Sequence, residues 1–518
     1  MKIKDPQQKM GASEFLAGFF TLVVLKVAVV NIVSGTLLGY SIGFIGVYDQ
    51  LVKTNENCTL YQSNLACTSL QHTLCEWDYR NGTCVFSDIE CNTWHLQEDA
   101  CKSHSACTFD SKSKLCQHNV GFDSVKMGMF AGSMIVGSWF MSVPAGNLVD
   151  HIGRKKSIIL VGIFGLLGSI LVHIARGSDV YALLIIGRVV IGVSGAMACV
   201  ACPVYCNEMS PEAYRGPVGT LFQVFITLGI VIAALIGVMV NPAAFDTNLH
   251  MEARIQMFIA MYTIFSVLTI VTGVVVPESI KFSKDSGNEM ELQKEKKNSG
   301  VESSSVSWCD VRAALMAGVV LSLAQQFTGI NAIMTYAPSI TKSMGLKPMI
   351  GNVVVMTWNF LTALVSIPLA SRWSMRRMFL VGTLVASLSC LCTGIPVYPG
   401  VTTKETHEVL VGFGIMLFIA AFEIGMGPSY YILAQTLFPE SFRSKGCGWT
   451  LMVSGLFVCI ITVCFPIAVT NLSGGPSGNQ DKGMGIAFIF FGVVDLLSWV
   501  ILIKTLHPHG SNEYESVK

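Results

Sequence analysis

Twelve apolar stretches run through this chain of 518 residues, at about 19–47, 125–146, 156–176, 179–201, 216–240, 254–276, 313–338, 350–371, 378–397, 408–434, 447–470 and 483–504. In helical form a stretch of about 20 residues crosses a bilayer core of about 30 Å. No water reaches that core, so only helices or closed barrels satisfy every backbone N–H and C=O there. These stretches are continuously apolar rather than alternating, which selects helices over barrel strands. The chain therefore reads as an all-α membrane protein of twelve transmembrane helices. Its composition agrees: 52% hydrophobic and 13% charged residues leave too little charge to cover a soluble protein of this size. A net charge of +1 gives no electrostatic basis for a nucleic-acid partner. The N-terminal MKIKDPQQKMGASEF has no short apolar run with a small-residue cleavage site, so the first stretch is expected to be a permanent span.

Two polar segments set the organisation. Residues 48–124 separate the first two spans, and residues 277–312, rich in Ser, Lys and Glu, separate the sixth from the seventh. This predicts an N-terminal segment 1–18, a six-helix half 19–276, a linker 277–312, a second six-helix half 313–504 and a tail 505–518. Lys and Arg concentrate on the side holding both termini and the linker: Lys2, Lys4 and Lys9, then Arg154, Lys155 and Lys156, then Arg372, Arg376 and Arg377. By the positive-inside rule that side is cytoplasmic, and residues 48–124 lie outside.

Eight of the 17 cysteines fall in that outer segment: Cys58, Cys67, Cys75, Cys84, Cys91, Cys101, Cys107 and Cys116. The segment repeats itself, with Cys75, Trp77, Asp78 and Cys84 matched by Cys107, Phe109, Asp110 and Cys116. An even count outside the cell reads as a disulfide scaffold of undetermined connectivity. Zinc is the rival, but CxxC pairs are absent. Glycosylation sequons at Asn57, Asn81 and Asn471 all fall on the same outer side.

Short motifs repeat between the halves. GNLVDHIGRK at 146–155 and PEAYR at 211–215 are paralleled by MRR at 375–377 and PESFR at 439–443. Acids and bases at helix ends on one side can pair and hold that side closed; the candidates for such a gate are Asp150, Arg154, Glu208, Arg215, Glu278, Arg376 and Arg443. The bland alternative is a generic basic loop. Two similar six-span halves in one orientation are the sign of a transporter with its substrate between them near the midplane.

GNLVDHIGRK, GRVVIGVSGA (187–196), PVYCNEMSPEAYRG (203–216), PESIK (277–281), QQFTGINAIMTY (325–336) and GMGPSYYILAQTLFP (425–439) appear in order and at the right spacing. In these the chain resembles the sugar porter family of the major facilitator superfamily. The Cys-rich first outer loop, LFQVFITLGI and SRWSMRRMFLVG resemble the hexose transporters of trypanosome-type (kinetoplastid) flagellates. The resemblance implies a major facilitator fold that carries a hexose, glucose and also fructose, by alternating access. Departures stand beside it. Ser41 follows Gly39-Tyr40 where many proton-driven members have Asp. His151 replaces the loop arginine, Ile280 and Lys281 replace Pro and Arg, Tyr431 a tryptophan and Thr436 a glutamate, and no PETKG follows the last span.

A hexose is neutral and covered in hydroxyls, so its site needs amides and hydroxyls that donate and accept, with an aromatic against the ring. Polar groups inside spans are costly and therefore suspect. The resemblance puts Gln223, Gln325, Gln326, Asn331, Asn359 and Glu423 on sugar-contacting positions and Phe422 and Tyr431 on aromatic ones, with Tyr336 below. Interhelical hydrogen bonding is the alternative role for each, worth about 0.6 kcal/mol. Gly425, Gly427 and Pro428 are expected to break span ten; Lys26 is expected to snorkel, and Arg188 to pair with a neighbouring span.

The absence of Walker A, GxSxG and HExxH patterns argues against an enzyme, and no metal or cofactor is expected. Ser41 favours a facilitative uniporter over a proton symporter, with Glu423 and Asp495 as the possible proton carriers; a sugar sensor of the same fold is the third reading. The protein is expected in the plasma membrane, in contact with lipid, working as a monomer.

Overall fold

The computed structural model describes residues 22–56, 75–78, 83–86, 107–110, 115–118, 124–178, 180–211, 214–240, 251–280, 282, 308–331, 348–397, 404–439, 442–473 and 480–506. The helices in chain order are α1 (Leu22–Glu56), α2 (Ser124–Ile152), α3 (Arg154–Ser178), α4 (Tyr181–Met209), α5 (Arg215–Val240) and α6 (Met251–Val275). The second set is α7 (Arg312–Phe327), α8 (Pro348–Ala370), α9 (Met375–Val397), α10, α11 (Arg443–Leu472) and α12 (Gln480–Thr505). Helix α10 runs Lys404–Ala421, passes through a π turn at Phe422–Met426 and continues as Gly427–Thr436. Among the described residues eleven helices are long and apolar enough to cross a membrane. Helix α7 falls short because Thr328-Gly329 interrupts it, Gly329 having a φ of +81°. Tyr336 lies outside the described residues.

Two helices outlast the expected apolar run. Helix α1 continues to Glu56, past the expected end at 47, and α4 to Met209. Within the outer segment the sequence repeat is structural. Strands β1 (Cys75–Asp78) and β2 (Thr83–Phe86) form one antiparallel hairpin, and β3 (Cys107–Asp110) and β4 (Leu115–His118) form another. Their registers match, Trp77 opposite Cys84 and Phe109 opposite Cys116. Cys58, Cys67, Cys91, Cys101, Asn57 and Asn81 lie outside the described residues. Asn471 is exposed in the last turn of α11.

Two hydrophobic cores form, one from α1 to α6 with Met356 added, the other from α7 to α12. Contacts repeat between them: α1 packs on α5 as α7 does on α11, and α3 packs on α4 and α6 as α9 does on α10 and α12. The halves meet through α2 against α11 and α5 against α8, two pairs that exchange when each half is mapped on the other. Close approach of backbones makes these seams. A side chain at Gly146 would lie 2.5 Å from the carbonyl oxygen of Ser444, and one at Gly216 would lie 3.1 Å from that of Ala370. Both contacts are on the face where Arg154, Arg215, Arg312, Arg376, Arg443 and Lys504 stand at helix ends, called here the basic face.

On that face ions finish the helices. Glu278, after α6, accepts the backbone N–H groups of Arg154 at 3.0 Å, Lys155 at 3.1 Å and Ser279 at 2.9 Å, so a carboxylate caps the N-terminus of α3. Gly153, with φ +92°, makes room for it: a Cβ there would meet the Glu278 carboxylate at 2.6 Å. In the other half, Arg376, opening α9, donates to the carbonyls of Ile503, at 3.0 Å, and Leu506 at the end of α12. Arg154 meets Glu208 in a two-pronged, nearly buried pair at 3.0 and 2.9 Å, and Ser279 Oγ donates to Glu208 at 2.5 Å.

Removing one partner of a buried pair costs about 3 kcal/mol, and losing charge at a helix end about 1 kcal/mol. Glu208→Ala should therefore lower the thermal midpoint of the detergent-purified protein more than Glu278→Gln or Arg376→Gln does. Equal midpoints for the three variants would contradict this ranking.

Candidate functional site

The irregular part of α10 carries the most buried carboxyl group of the interface between the halves. Pro428 has no N–H to donate, and the helix answers by widening to a π turn in which Gly427 N–H bonds Phe422 O. Ser429 Oγ donates to the carbonyl of Gly425 and also to Met426 O at 3.3 Å. The turn presents Glu423, 3% exposed, toward α5 and α8. Gln223 Nε2, from the other half, donates to one carboxyl oxygen at 3.0 Å, and Asn359 Nδ2 to the other at 3.0 Å. Gly427 leaves the room that Gln223 fills, since a Cβ there would lie 3.0 Å from Gln223 Nε2.

The break in α7 carries the second part. Thr328 Oγ1 donates to Gln325 O at 3.1 Å and accepts Ile330 N–H at 3.3 Å, repairing the interruption. Gln326 Nε2 donates to Ser454 Oγ of α11 at 2.7 Å, and Gln326 Oε1 accepts from Asn331 Nδ2 at 2.9 Å. Within this set of residues, Gln325 Oε1 and Asn359 Oδ1 are buried acceptors unmet by protein. Gln223, Asn359 and Glu423 thus come together directly, and Gln326 and Asn331 form a neighbouring pair.

The aromatic residues divide. Tyr431 stands at the seam, edge-on to Phe222 of α5 with ring centroids 5.3 Å apart and planes at 90°. Phe422 is turned into the second half's core, where it stacks on Phe418 at 6.4 Å. Ser454 is a member that sequence reasoning missed. A serine in a span commonly bonds its own helix, and nothing in one sequence marks this one as a partner of Gln326.

The polar residues at the basic face divide too. Arg154, Glu208 and Glu278 lie within one half, as does Arg376 within the other. Asp150 lies 3.3 Å from Arg154 and stands one turn after Gly146, where α2 touches Ser444 of α11. Arg215 and Arg443 each stand one residue before a point where the halves touch, at Gly216 and Ser444.

Arg188, fully buried, is the second buried charge in the helices. It donates to Ser41 O at 3.1 Å and to Met134 Sδ at 3.5 Å, and its guanidinium lies 5.5 Å from the ring centre of Phe44 and 5.2 Å from that of Phe130. Among the described residues no carboxylate pairs with it. Ser41 Oγ donates to Leu38 O in its own helix at 2.7 Å. Asp495 of α12 is fully buried, and neither carboxyl oxygen has a hydrogen-bond partner. Among the described residues no group of three His, Cys, Asp or Glu could hold a metal ion.

Comparison with known proteins agrees with this layout. The family model described as "Sugar (and other) transporter" matches residues 27–502. The chain is 38% identical over 515 residues to "Glucose transporter 2A" of Trypanosoma brucei brucei, covering 99% of this chain and 93% of that one. It is 38% identical over 496 residues to "Glucose transporter HT1" of Trypanosoma vivax, covering 95% and 86%. In fold it is similar to the proton:xylose symporter XylE bound to 6-bromo-6-deoxy-D-glucose, with a TM-score of 0.67 at 16% identity over 93% of this chain and 95% of that one. Twelve helices in two matched halves, and amides gathered where the halves meet, are what such a carrier requires, and the chain belongs to the sugar transporter family of the major facilitator superfamily rather than to any class of enzyme.

Proposed function

We propose that this protein carries a hexose, glucose and also fructose, across the plasma membrane as a facilitative uniporter. The observation that carries the reading is the pair of buried acceptors, Gln325 Oε1 and Asn359 Oδ1, left without donors beside a carboxylate already satisfied by amides. Hydroxyls of a neutral sugar supply such donors, whereas a purely apolar cargo supplies none. Gln223, Gln325, Gln326, Asn331, Asn359 and Glu423 form the polar wall, with Tyr431 as the aromatic; Tyr336 completes it by resemblance alone.

The basic face is the cytoplasmic one in this reading, by its excess of Lys and Arg at helix ends. The gate is then the set of contacts across α2–α11 and α5–α8 at that face. Asp150, Arg215 and Arg443 flank the touching points, and Arg154, Glu208, Glu278 and Arg376 stiffen the halves that must rock as bodies. The hairpin-bearing outer segment is braced by disulfides among its eight cysteines, and Asn57, Asn81 and Asn471 offer glycosylation sites on that side.

The surroundings of Arg188 support the uniport reading. A coupled carrier needs a carboxylate that alternates between a cation and a proton. Here the position facing Arg188 is a serine that contributes only its backbone carbonyl.

Replacing Gln325 by Leu keeps volume and membrane insertion but leaves sugar hydroxyls unpaired. The loss should be about 1–3 kcal/mol, read as a roughly tenfold to hundredfold rise in KM at normal surface expression. An unchanged KM would make Gln325 scaffold and Gln326 the better candidate. In a transporter-null cell, counterflow of a non-metabolised hexose should proceed without a pH gradient. Uphill accumulation that a protonophore abolishes would show a symporter and turn attention to Glu423 and Asp495. Hexose binding with no flux would show a sensor.

A further inference from the structure

Gly146, Trp139 and Gly132 of α2 follow one another at steps of seven residues. Seven residues are about two helical turns, so the three share the stripe that faces α11 of the other half. At Gly146 the backbones touch, a Cβ there lying 2.5 Å from Ser444 O. Between Gly146 and Trp139, a Cβ on Gly448 would lie 2.5 Å from Ser142 O. At Trp139 the contact loosens: a Cβ on Gly455 would lie 3.5 Å from Trp139 Cδ1, an ordinary van der Waals distance. At Gly132 an added Cβ would meet nothing within 4 Å among the described residues. The two helices are pressed together toward the basic face and part beyond Trp139, so this indole stands at the inner end of the space between the halves.

The first half holds Trp139 by its neighbours. Gly137 is pressed against Val189 O of α4, and Ser138 Oγ donates to Gly192 O of the same helix at 2.9 Å. The ring reaches the second half at Gly455, the residue after Ser454, which accepts the Gln326 amide at 2.7 Å. Trp139 Nε1 is buried there and has no acceptor. Trp449 Nε1 is a second buried indole nitrogen without an acceptor, but its ring is turned to Trp308, 6.3 Å away between centroids, before α7 begins at the basic face.

The unmet atoms around the amide cluster are complementary. Gln325 Oε1 and Asn359 Oδ1 are acceptors without donors, and Trp139 Nε1 is a donor without an acceptor. The amide nitrogens of Gln223 and Asn359 each spend an N–H on Glu423, and that of Gln326 spends one on Ser454. An indole nitrogen only donates, whereas a sugar hydroxyl both donates and accepts. We propose that Trp139 is a specificity-determining residue of the carrier: its indole N–H donates to one hydroxyl oxygen of the hexose seated beside the Gln326–Ser454 pair, and so selects for a hydroxyl at that ring position. The proposal rests on the hexose reading above and adds to it a contact from α2. A sugar held this way is gripped by a donor of the first half and acceptors of the second, which ties its binding to the approach of the two halves.

The test pairs loss of the N–H with loss of each hydroxyl. The full chain is expressed in a transporter-null cell, and D-glucose and its monodeoxy analogues, one hydroxyl missing in each, compete for uptake of labelled D-glucose. Trp139→Phe keeps an aromatic ring and removes the N–H. It should weaken D-glucose about two- to tenfold, the worth of one net hydrogen bond. It should weaken all but one of the analogues by the same factor. The exception, which lacks the partner hydroxyl, should bind wild type and variant equally, because a bond already missing cannot be lost again. Nonsense suppression that places 3-benzothienylalanine at 139 keeps the indole shape without the N–H. It should give the same pattern, and it decides the matter where Trp139→Phe fails to reach the surface. Saturable hexose uptake with an equal shift for every analogue, or with no shift, would overturn the contact alone. No saturable hexose uptake by wild type would sink the substrate reading and the contact with it.

Discussion

Hydrocarbon offers a backbone no hydrogen-bond partner, so a helix that breaks inside it must find one within the protein. Among the described residues, helices of the second half are interrupted at Thr328-Gly329 and at Phe422–Pro428, and at each a hydroxyl bonds the backbone, Thr328 in one case and Ser429 in the other. Both breaks carry the polar residues of the site. The first follows Gln325 and Gln326 and precedes Asn331; the second contains Glu423. An uninterrupted helix would show these groups at fixed steps of 100° around a cylinder. The π turn adds a residue and changes which side chains face α5, so that Glu423 meets Gln223 across the seam. The irregularity that hydrocarbon makes costly is the means by which the site is assembled.

The two halves solve one problem with opposite charges. Where span three or nine begins beside the end of span six or twelve, an antiparallel pair of helix termini must be closed at the basic face. In the first half the acid stands at the end of the sixth helix and receives N–H groups from the start of the third. In the second half the base stands at the start of the ninth and donates to carbonyls at the end of the twelfth. Each is the sign that the helix dipole favours at the terminus it touches. The motif losses of the second half, Thr436 for an acid and no PETKG after the last span, are therefore matched by a clasp of reversed polarity that needs neither.

The twelve helices were legible because apolar length is a direct statement about a bilayer, and the paired halves because their motifs recur in order. The amides were legible because an amide is conspicuous inside an apolar run. What could not be read was direction. Phe422 and Glu423 are adjacent, yet one is in the core with Phe418 and the other at the seam. A π turn decides that, and single-sequence periodicity assumes a regular helix. The charged motifs pointed to one face correctly, but sequence does not say whether an ion pair joins two halves or two helices of one half. Arg154 with Glu208 is the second kind, and the crossing there is a close backbone approach of Gly146 to the inconspicuous Ser444. The cysteine repeat foretold a repeated module but not its hairpins, whose strands are four residues each and too short for an alternation to register.

Three ionisable groups are buried in the helices with no opposite charge beside them among the described residues: Arg188 in the first half, and Glu423 and Asp495 in the second. Both Glu423 oxygens accept from amides, and Arg188 is surrounded by a carbonyl, a thioether and two aromatic faces. Dipoles and π faces differ from a counter-ion in one respect that matters for a carrier: they do not leave. An ion pair in the path must be broken and remade as the halves rock, at a desolvation cost of several kcal/mol per ion unless a proton or cation intervenes. Arg188 and its partners all belong to one half and move as a body with it. At Glu423 the bond to Asn359 likewise stays within a half, and only the single bond to Gln223 crosses the seam. Opening and closing around a neutral sugar then exchanges one amide bond for hydroxyl bonds of similar strength, about 1 kcal/mol each net.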